Sequence, residues 1–474
     1  GTGVAPKYSD YQGKLVYDLS PSHQLSLLGV AGIDFIEFDK EQSIEDGNVF
    51  YGKWDGYEYS VGFNWRALWG RRGYSNTSLA ILGTRFRGAF RQTDSDKQLS
   101  DENTLEKSWQ LRNVNVCQLG EFNHLEFGLD AKQLVNDYDL YLTSSYNSLG
   151  IVMPPLDLEQ KVRSLKVGVF ALYSWRPLKK LTTTVGLRYD YFEYNDHSHI
   201  SPRFSFTYRL SDGNNLNGAT GIYYQNLPLG LLAQQKSNRN LNDPVAYHYV
   251  LGVTRRLGPS AKLTVDVYYK VYDNFPLDSI QPQLFIADAW VYRGFYQYSE
   301  SLAGTGRARS YGIELTLQKK LVEGFYGLLS AAWFRSRYEG LDNVWRDRVI
   351  DNRVIFGIEG GYKPNNRWEY SLRWIFAGGP GYTPLDLDMS REINRSVLDH
   401  TRVNAERRPD YHSMNLRVDR RFHFRRTSLI LFFSVWNVYN RKNIYRTYWN
   451  TVDREQGTIY QWSILPVMGL EFEF

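Results

Sequence analysis

Apolar and polar residues alternate with a period of two along most of this chain. Tyr57, Tyr59, Val61, Phe63 and Trp65 are interleaved with Glu58, Ser60, Gly62, Asn64 and Arg66. The same beat runs through residues 125–132, 184–191, 263–271, 311–318 and 367–374. A β-strand turns successive side chains to opposite sides, so this pattern specifies strands with one apolar and one polar face. No segment shows a helical period. No apolar run approaches the roughly 20 residues that a membrane-crossing helix needs.

The connections carry a second regularity, because short and long ones take turns. Short ones hold turn residues such as Pro21-Ser22, Pro177-Leu178, Asp212-Gly213-Asn214, Glu323-Gly324 and Pro364-Asn365-Asn366. Between them lie longer stretches, among them 94–103, 144–159, 277–303, 385–403 and 441–457. Short turns at one rim and long loops at the other describe outer-membrane barrels. The fold class read from the sequence is therefore all-β, a large antiparallel transmembrane β-barrel of about 19 strands. Bacterial single-chain barrels have even strand counts and both termini on the periplasmic side. A short first connection would start this chain on the loop side. The expectation is that an N-terminal piece with an odd number of strands is missing, three of them giving a barrel of about 22. The alternative is one more strand hidden inside 277–303.

Composition agrees with a barrel without requiring one. Hydrophobic residues make up 42% and mean hydropathy is −0.47. A barrel shows lipid only every second side chain, so its average stays low. Tyr 36, Phe 25 and Trp 13 bring aromatics to 16%, and an apolar ring with a polar tip suits the bilayer boundary. A formal charge of +5 from 56 basic and 51 acidic residues, with no basic tail, gives no sign of nucleic acid. The lone cysteine, Cys117, excludes an internal disulfide framework.

The chain ends Ile464, Pro466, Met468, Leu470, Phe472, Phe474 at every second position. An amphipathic last strand closing on an aromatic resembles an outer-membrane assembly signal, carried by Phe474, Phe472 and Leu470. Other segments extend the likeness: Arg408-Pro409-Asp410-Tyr411-His412, Val435-Trp436-Asn437-Val438-Tyr439-Asn440, Arg309-Ser310-Tyr311-Gly312-Ile313-Glu314-Leu315, and Ala377-Gly378-Gly379-Pro380-Gly381-Tyr382-Thr383-Pro384. Together they resemble TonB-dependent receptors, in particular the large Bacteroidota-type group. That resemblance implies a receptor that binds a scarce nutrient outside the cell and imports it with energy passed through TonB. It also implies a plug domain, a TonB-contact segment, the outer-membrane lipid as surroundings and a surface lipoprotein partner. No plug or TonB segment is recognisable in this chain, so domain 1–474 reads as barrel alone.

No enzymatic motif survives inspection. There is no phosphate loop before a helix, no His-Glu-x-x-His and no Gly-x-Ser-x-Gly. No catalytic residue, cofactor or metal is expected. His197-Ser198-His199 is the one close histidine pair and reads as solvated in a loop beside Asp196. Carboxylates such as Asp190 and Glu314 read as lumen groups paired with Arg188 and its like. Ligand contacts should lie on the long loops, where Phe285, Trp290, Tyr292, Phe295, Tyr296 and Tyr298 crowd one segment. Exposed rings stack on sugars, peptides or siderophores, and the competing reading is that they pack the loop onto itself. Trp345 and Trp449 are lesser candidates. The rival functions are a passive porin and a soluble all-β binding protein, such as a propeller with a repeat of about 40–50 residues that is not seen.

Overall fold

A computed structural model describes residues 6–45, 48–146, 150–289, 295–298 and 301–474. Nineteen long strands, joined in chain order, make one antiparallel wall. They are β1 (Lys7–Ser20), β2 (His23–Phe38), β3 (Phe50–Leu68), β4 (Gly73–Gln92), β5 (Gln98–Gln118), β6 (His124–Leu142) and β7 (Leu156–Leu178). β8 (Leu181–Phe192), β9 (His197–Ser211), β10 (Asn214–Tyr224), β11 (Val245–Arg256), β12 (Ala261–Asp278) and β13 (Leu302–Val322) follow. The last six are β14 (Phe325–Glu339), β15 (Val354–Asn365), β16 (Trp368–Ala377), β17 (Tyr411–His423), β18 (Ser428–Trp436) and β19 (Leu465–Glu473). A twentieth, Trp345–Asp347, only extends the sheet at the outer end of β14. Among the described residues, β1 and β19 each pair on one side only.

The alternation sorts as expected. Leu27, Phe63, Leu79, Leu111, Ala131 and Val167 stand opposite one another across six strands on the outward face. Tyr249, Tyr269 and Tyr311 form a row at the loop side, and Phe325, Tyr362 and Tyr370 form another near the turns. Two aromatic belts bracketing an apolar band are the mark of a wall set in lipid. From Phe325 to Arg335, β14 has the length a tilted strand needs to cross, about 9–11 residues. On the inner face Arg188 lies 2.9 Å from Asp130 and 2.7 Å from Asp190, a charge ladder that water in the lumen tolerates.

Turns at one rim run from two residues at 21–22 to five at 119–123; the opposite connections run from four at 193–196 to 33 at 378–410. Two expectations are corrected here. Residues 98–103 are not loop but the start of β5, paired with β4. Within 441–457 the chain forms a hairpin, Ile444–Asn450 with Glu455–Tyr460, rather than an irregular loop. The first has a plain cause: strands β3 to β7 are 19 to 23 residues long and continue past the bilayer, where neither face needs to be apolar. On β6 the outward face passes from Leu129 and Val135 to Asp137 and Asp139, which places the change at the membrane surface.

The sorting can be tested on β12. Val267→Arg puts a guanidinium in the outward apolar band and should weaken folding into lipid vesicles by about 2–4 kcal/mol. Thr264→Arg, on the inner face of the same strand, should leave the urea-dependent folding equilibrium nearly unchanged.

Candidate functional site

Three outward connections fold inward and pack together inside the mouth of the wall. They are 225–244 and the described parts of 143–155 and 279–301. The centre is the short helix Leu229–Gln234, whose Leu231 and Leu232 are fully buried. Around it lie Leu134 and Phe192 from the wall, and Met153, Leu227, Leu241, Ile286, Tyr298 and Leu302. On the long strand extensions the inward positions turn apolar, as with Leu134, Tyr138 and Leu140 on β6. These side chains are the floor on which the connections settle. A free loop would leave them in water, at a cost of about 25 cal/mol for each Å² of apolar surface.

Polar contacts fix how the connections meet. The Gln234 side-chain amide donates to Tyr296 O at 2.8 Å and accepts from Tyr296 N at 3.2 Å. Asn238 Nδ2 donates to Leu231 O and to Tyr298 Oη, each at 2.7 Å. Gln297 donates to the carbonyls of Thr143 and Pro154, and Ser145 donates back to its oxygen. Phe295 stands edge-on to Tyr138, with centroids 5.5 Å apart, and lies over Gly230. A Cβ at Gly230 would come within 2.9 Å of the Phe295 ring, so a larger residue there would push the ring off the helix.

The predicted ligand aromatics can now be placed. Phe285 is buried, stacked on Tyr338 at 5.0 Å and roofed by the Arg348 guanidinium at 5.1 Å. Tyr298 is buried as well, while Phe295 and Tyr296 keep part of their surface open. Trp290 and Tyr292 lie outside the described residues. Burial and the neighbouring Asp278 carboxylate push the Tyr296 hydroxyl above the usual phenol range, and burial does the same for Tyr298. Trp345 lies under Arg309 at 4.2 Å, and Trp449 is buried with its indole N–H on Asn394. Sequence reasoning missed the 225–244 connection altogether. Its signal was available in Leu227, Leu229, Leu231, Leu232 and Leu241, an unusually apolar set for a loop.

Two further hollows lie on the inner face near the free edge. One, of about 710 Å³, is lined by Tyr411, Asn415, Trp436, Tyr445, Tyr460 and Trp462 at the outward end. The other, of about 320 Å³, lies by the turns and carries Arg367, Glu369, Arg417, Asp419, Arg421 and Glu471. The histidine pair is also relocated. His197 and His199 are on β9, not in a loop, and face Asp243 of the 225–244 connection rather than bulk water.

Asn238→Ala would strip the buried Leu231 carbonyl and Tyr298 hydroxyl of their partner, costing the loop core about 1–3 kcal/mol. Faster hydrogen exchange or proteolysis confined to 225–244 is the expected readout. Tyr296 and Tyr298 have folded pKa values raised above the free phenol. Their contribution is therefore complete below about pH 10 and is lost as pH climbs through the folded values. Stepwise alkaline proteolysis should release the loops in that window, and Tyr296→Phe should blunt the effect.

Known proteins with this architecture can be set beside it. A family model described as TonB dependent receptor-like, beta-barrel matches residues 3–440. The FrpB iron transporter of Neisseria meningitidis (F3-3 variant) superposes with a TM-score of 0.71 at 12% identity, over 100% of this chain and 73% of that one. The ferripyoverdine receptor of the Pseudomonas aeruginosa outer membrane gives 0.68 at 13% identity, over 99% and 65%. The outer membrane transporter YddB of Escherichia coli gives 0.67 at 9% identity, over 98% and 68%. No curated protein sequence matches this chain significantly. The chain belongs to the TonB-dependent receptor-like β-barrel family, whose members are transport proteins of the Gram-negative outer membrane and not enzymes.

Proposed function

We propose that the chain forms the wall and mouth of an energised importer for a scarce nutrient of the siderophore, cobalamin, glycan or peptide class. The apolar core packed by 143–155, 225–244 and 279–301 carries this reading. A diffusion channel works by keeping its lumen wet and open. A mouth filled with buried Leu231, Leu232 and Ile286 must instead be rearranged before cargo passes. Phe295 and Tyr296, the part-exposed rings of that core, would face the cargo, and Phe285 and Tyr298 would support them.

The remaining pieces of the transporter follow from the wall. Unpaired strand edges in hydrocarbon leave backbone groups without partners. Further strands between β1 and β19, three for a barrel of 22, would satisfy them. The hollow by the turns presents both signs of charge, from Arg417, Arg421, Asp419 and Glu369, and suits a separate plug domain held by ion pairs. A TonB-contact segment would act through that plug, and a surface lipoprotein could cover the long loops. Leu470 and Phe472 on β19 and Phe474 just after it, all exposed, would serve the assembly machinery.

Cells carrying the full-length receptor should accumulate nutrient only while TonB is present and the inner membrane is energised. The purified protein should pass no steady current in planar bilayers. A steady conductance together with uptake that survives loss of TonB would make it a passive porin.

A further inference from the structure

His197 and His199 project from the same side of β9, opposite Phe192 and Asp190 of β8. Asp243, 0% exposed, comes to them from the 225–244 connection. Its Oδ2 lies 2.8 Å from His199 Nε2 and 3.5 Å from His197 Nδ1. The three potential ligand atoms all fall within 4.8 Å of one another. Four ligands around a zinc ion, with bonds of about 2.0–2.2 Å, stand roughly 3.3 Å apart at tetrahedral angles. The separations from Asp243 to the two imidazoles bracket that figure.

The surroundings hold these groups in place. Asn226 Nδ2 donates to Asp243 Oδ2 at 2.7 Å, and the backbone N–H of Leu227 and Asn195 Nδ2 approach Oδ1 at 3.4 Å. The His199 ring stacks flat on Tyr224 with centroids 4.0 Å apart. Outer hydrogen bonds and stacking of this kind orient ligands for a metal. Asn195 Nδ2 also meets His197 Nδ1 at 2.9 Å, which places the amide at the centre of the cluster. The Asn195 Oδ1 atom is itself buried without a partner. Rotating the amide would bring that orphan oxygen to the centre as a fourth ligand.

Charge points the same way. A buried carboxylate needs a compensating cation. Among the described residues, the two histidines are the only basic side chains at ion-pair distance from Asp243. Lys166, whose ammonium interacts with Asp243 from farther off, gives part of the balance, and a divalent ion held by the two imidazoles and this carboxylate would complete it at contact distance. We propose that His197, His199 and Asp243, with Asn195 as fourth donor, bind a first-row divalent cation such as Zn²⁺. Two nitrogens and a carboxylate suit zinc and its neighbours over calcium or magnesium. The ion would tie 225–244 to the wall, and it stands apart from the proposed importer role.

The test uses untagged full-length protein, refolded in detergent and stripped with chelator. Co²⁺ should bind one per chain with the intense visible bands of a tetrahedral site, and Zn²⁺ should displace it. Zn²⁺ should also slow hydrogen exchange across 225–244. His199→Gln and His197→Gln should each weaken binding by about 100-fold or more, while His400→Gln, on another loop, should leave it unchanged. If Asp243→Asn fails to fold, the two histidine variants and the wild-type cobalt spectrum still decide. An absent cobalt spectrum in folded wild-type protein, or unchanged affinity in both histidine variants, overturns the proposal.

Discussion

Backbone hydrogen bonds that cannot be shared with lipid govern this molecule. Each wall strand must give its N–H and C=O groups to neighbours, because hydrocarbon offers none. That requirement makes one continuous antiparallel sheet obligatory and leaves side chains to sort by solvent alone. Leu129 and Val267 meet lipid, and Asp130 and Asp266 meet lumen water one residue away. The order, not the composition, decides this: with a period of two, a helix would scatter the apolar residues around its surface. The apolar band is also thinner than the strands are long, and the surplus length sets up the mouth.

The surplus reverses the rule. Beyond the bilayer β6 turns Asp137 and Asp139 outward and Tyr138 and Leu140 inward, so the strand that was apolar outside becomes apolar inside. An inward apolar surface above the membrane would be unfavourable if left wet. The connection 225–244 and the described parts of 279–301 cover it, and the leucines of the former are buried there. Bonds such as those of Asn238 to Leu231 and Tyr298 then select one arrangement of a core that apolar contact alone would leave loose. Each such directional bond removes an alternative packing.

This reversal explains what could be read in advance. The wall was legible because every lipid-crossing strand obeys one period, and the nineteen strands follow from alternation plus turn residues. The stretch 98–103 was misread as loop because its polar residues stand past the membrane, where alternation no longer marks a strand. The crowded aromatics of 277–303 were visible as a group, whereas the partner that engages them, the helix Leu229–Gln234, is too short to show a helical period. His197 and His199 were visible as a pair. Asp243 was not, because it arrives from a connection more than forty residues away, and no spacing rule links a strand to the loop that follows its neighbouring strand.

The loop core and the His–Asp cluster also bear on each other. Asp243 belongs to the connection that carries Leu231 and Leu232, and Asn226, which holds its carboxylate, opens that same segment. Moving the helix out of the mouth would therefore separate Asp243 from His199, exposing apolar surface and breaking a buried charge contact together. A partly withdrawn segment would leave leucines in water and the buried carboxylate without its partners, so the packed arrangement resists small displacements. A cation shared by His197, His199 and Asp243 would hold the start and end of this connection against wall strand β9. The mouth thus draws its stability from contacts between connection residues such as Leu231 and Asp243 and wall residues such as Leu134, Phe192 and His199.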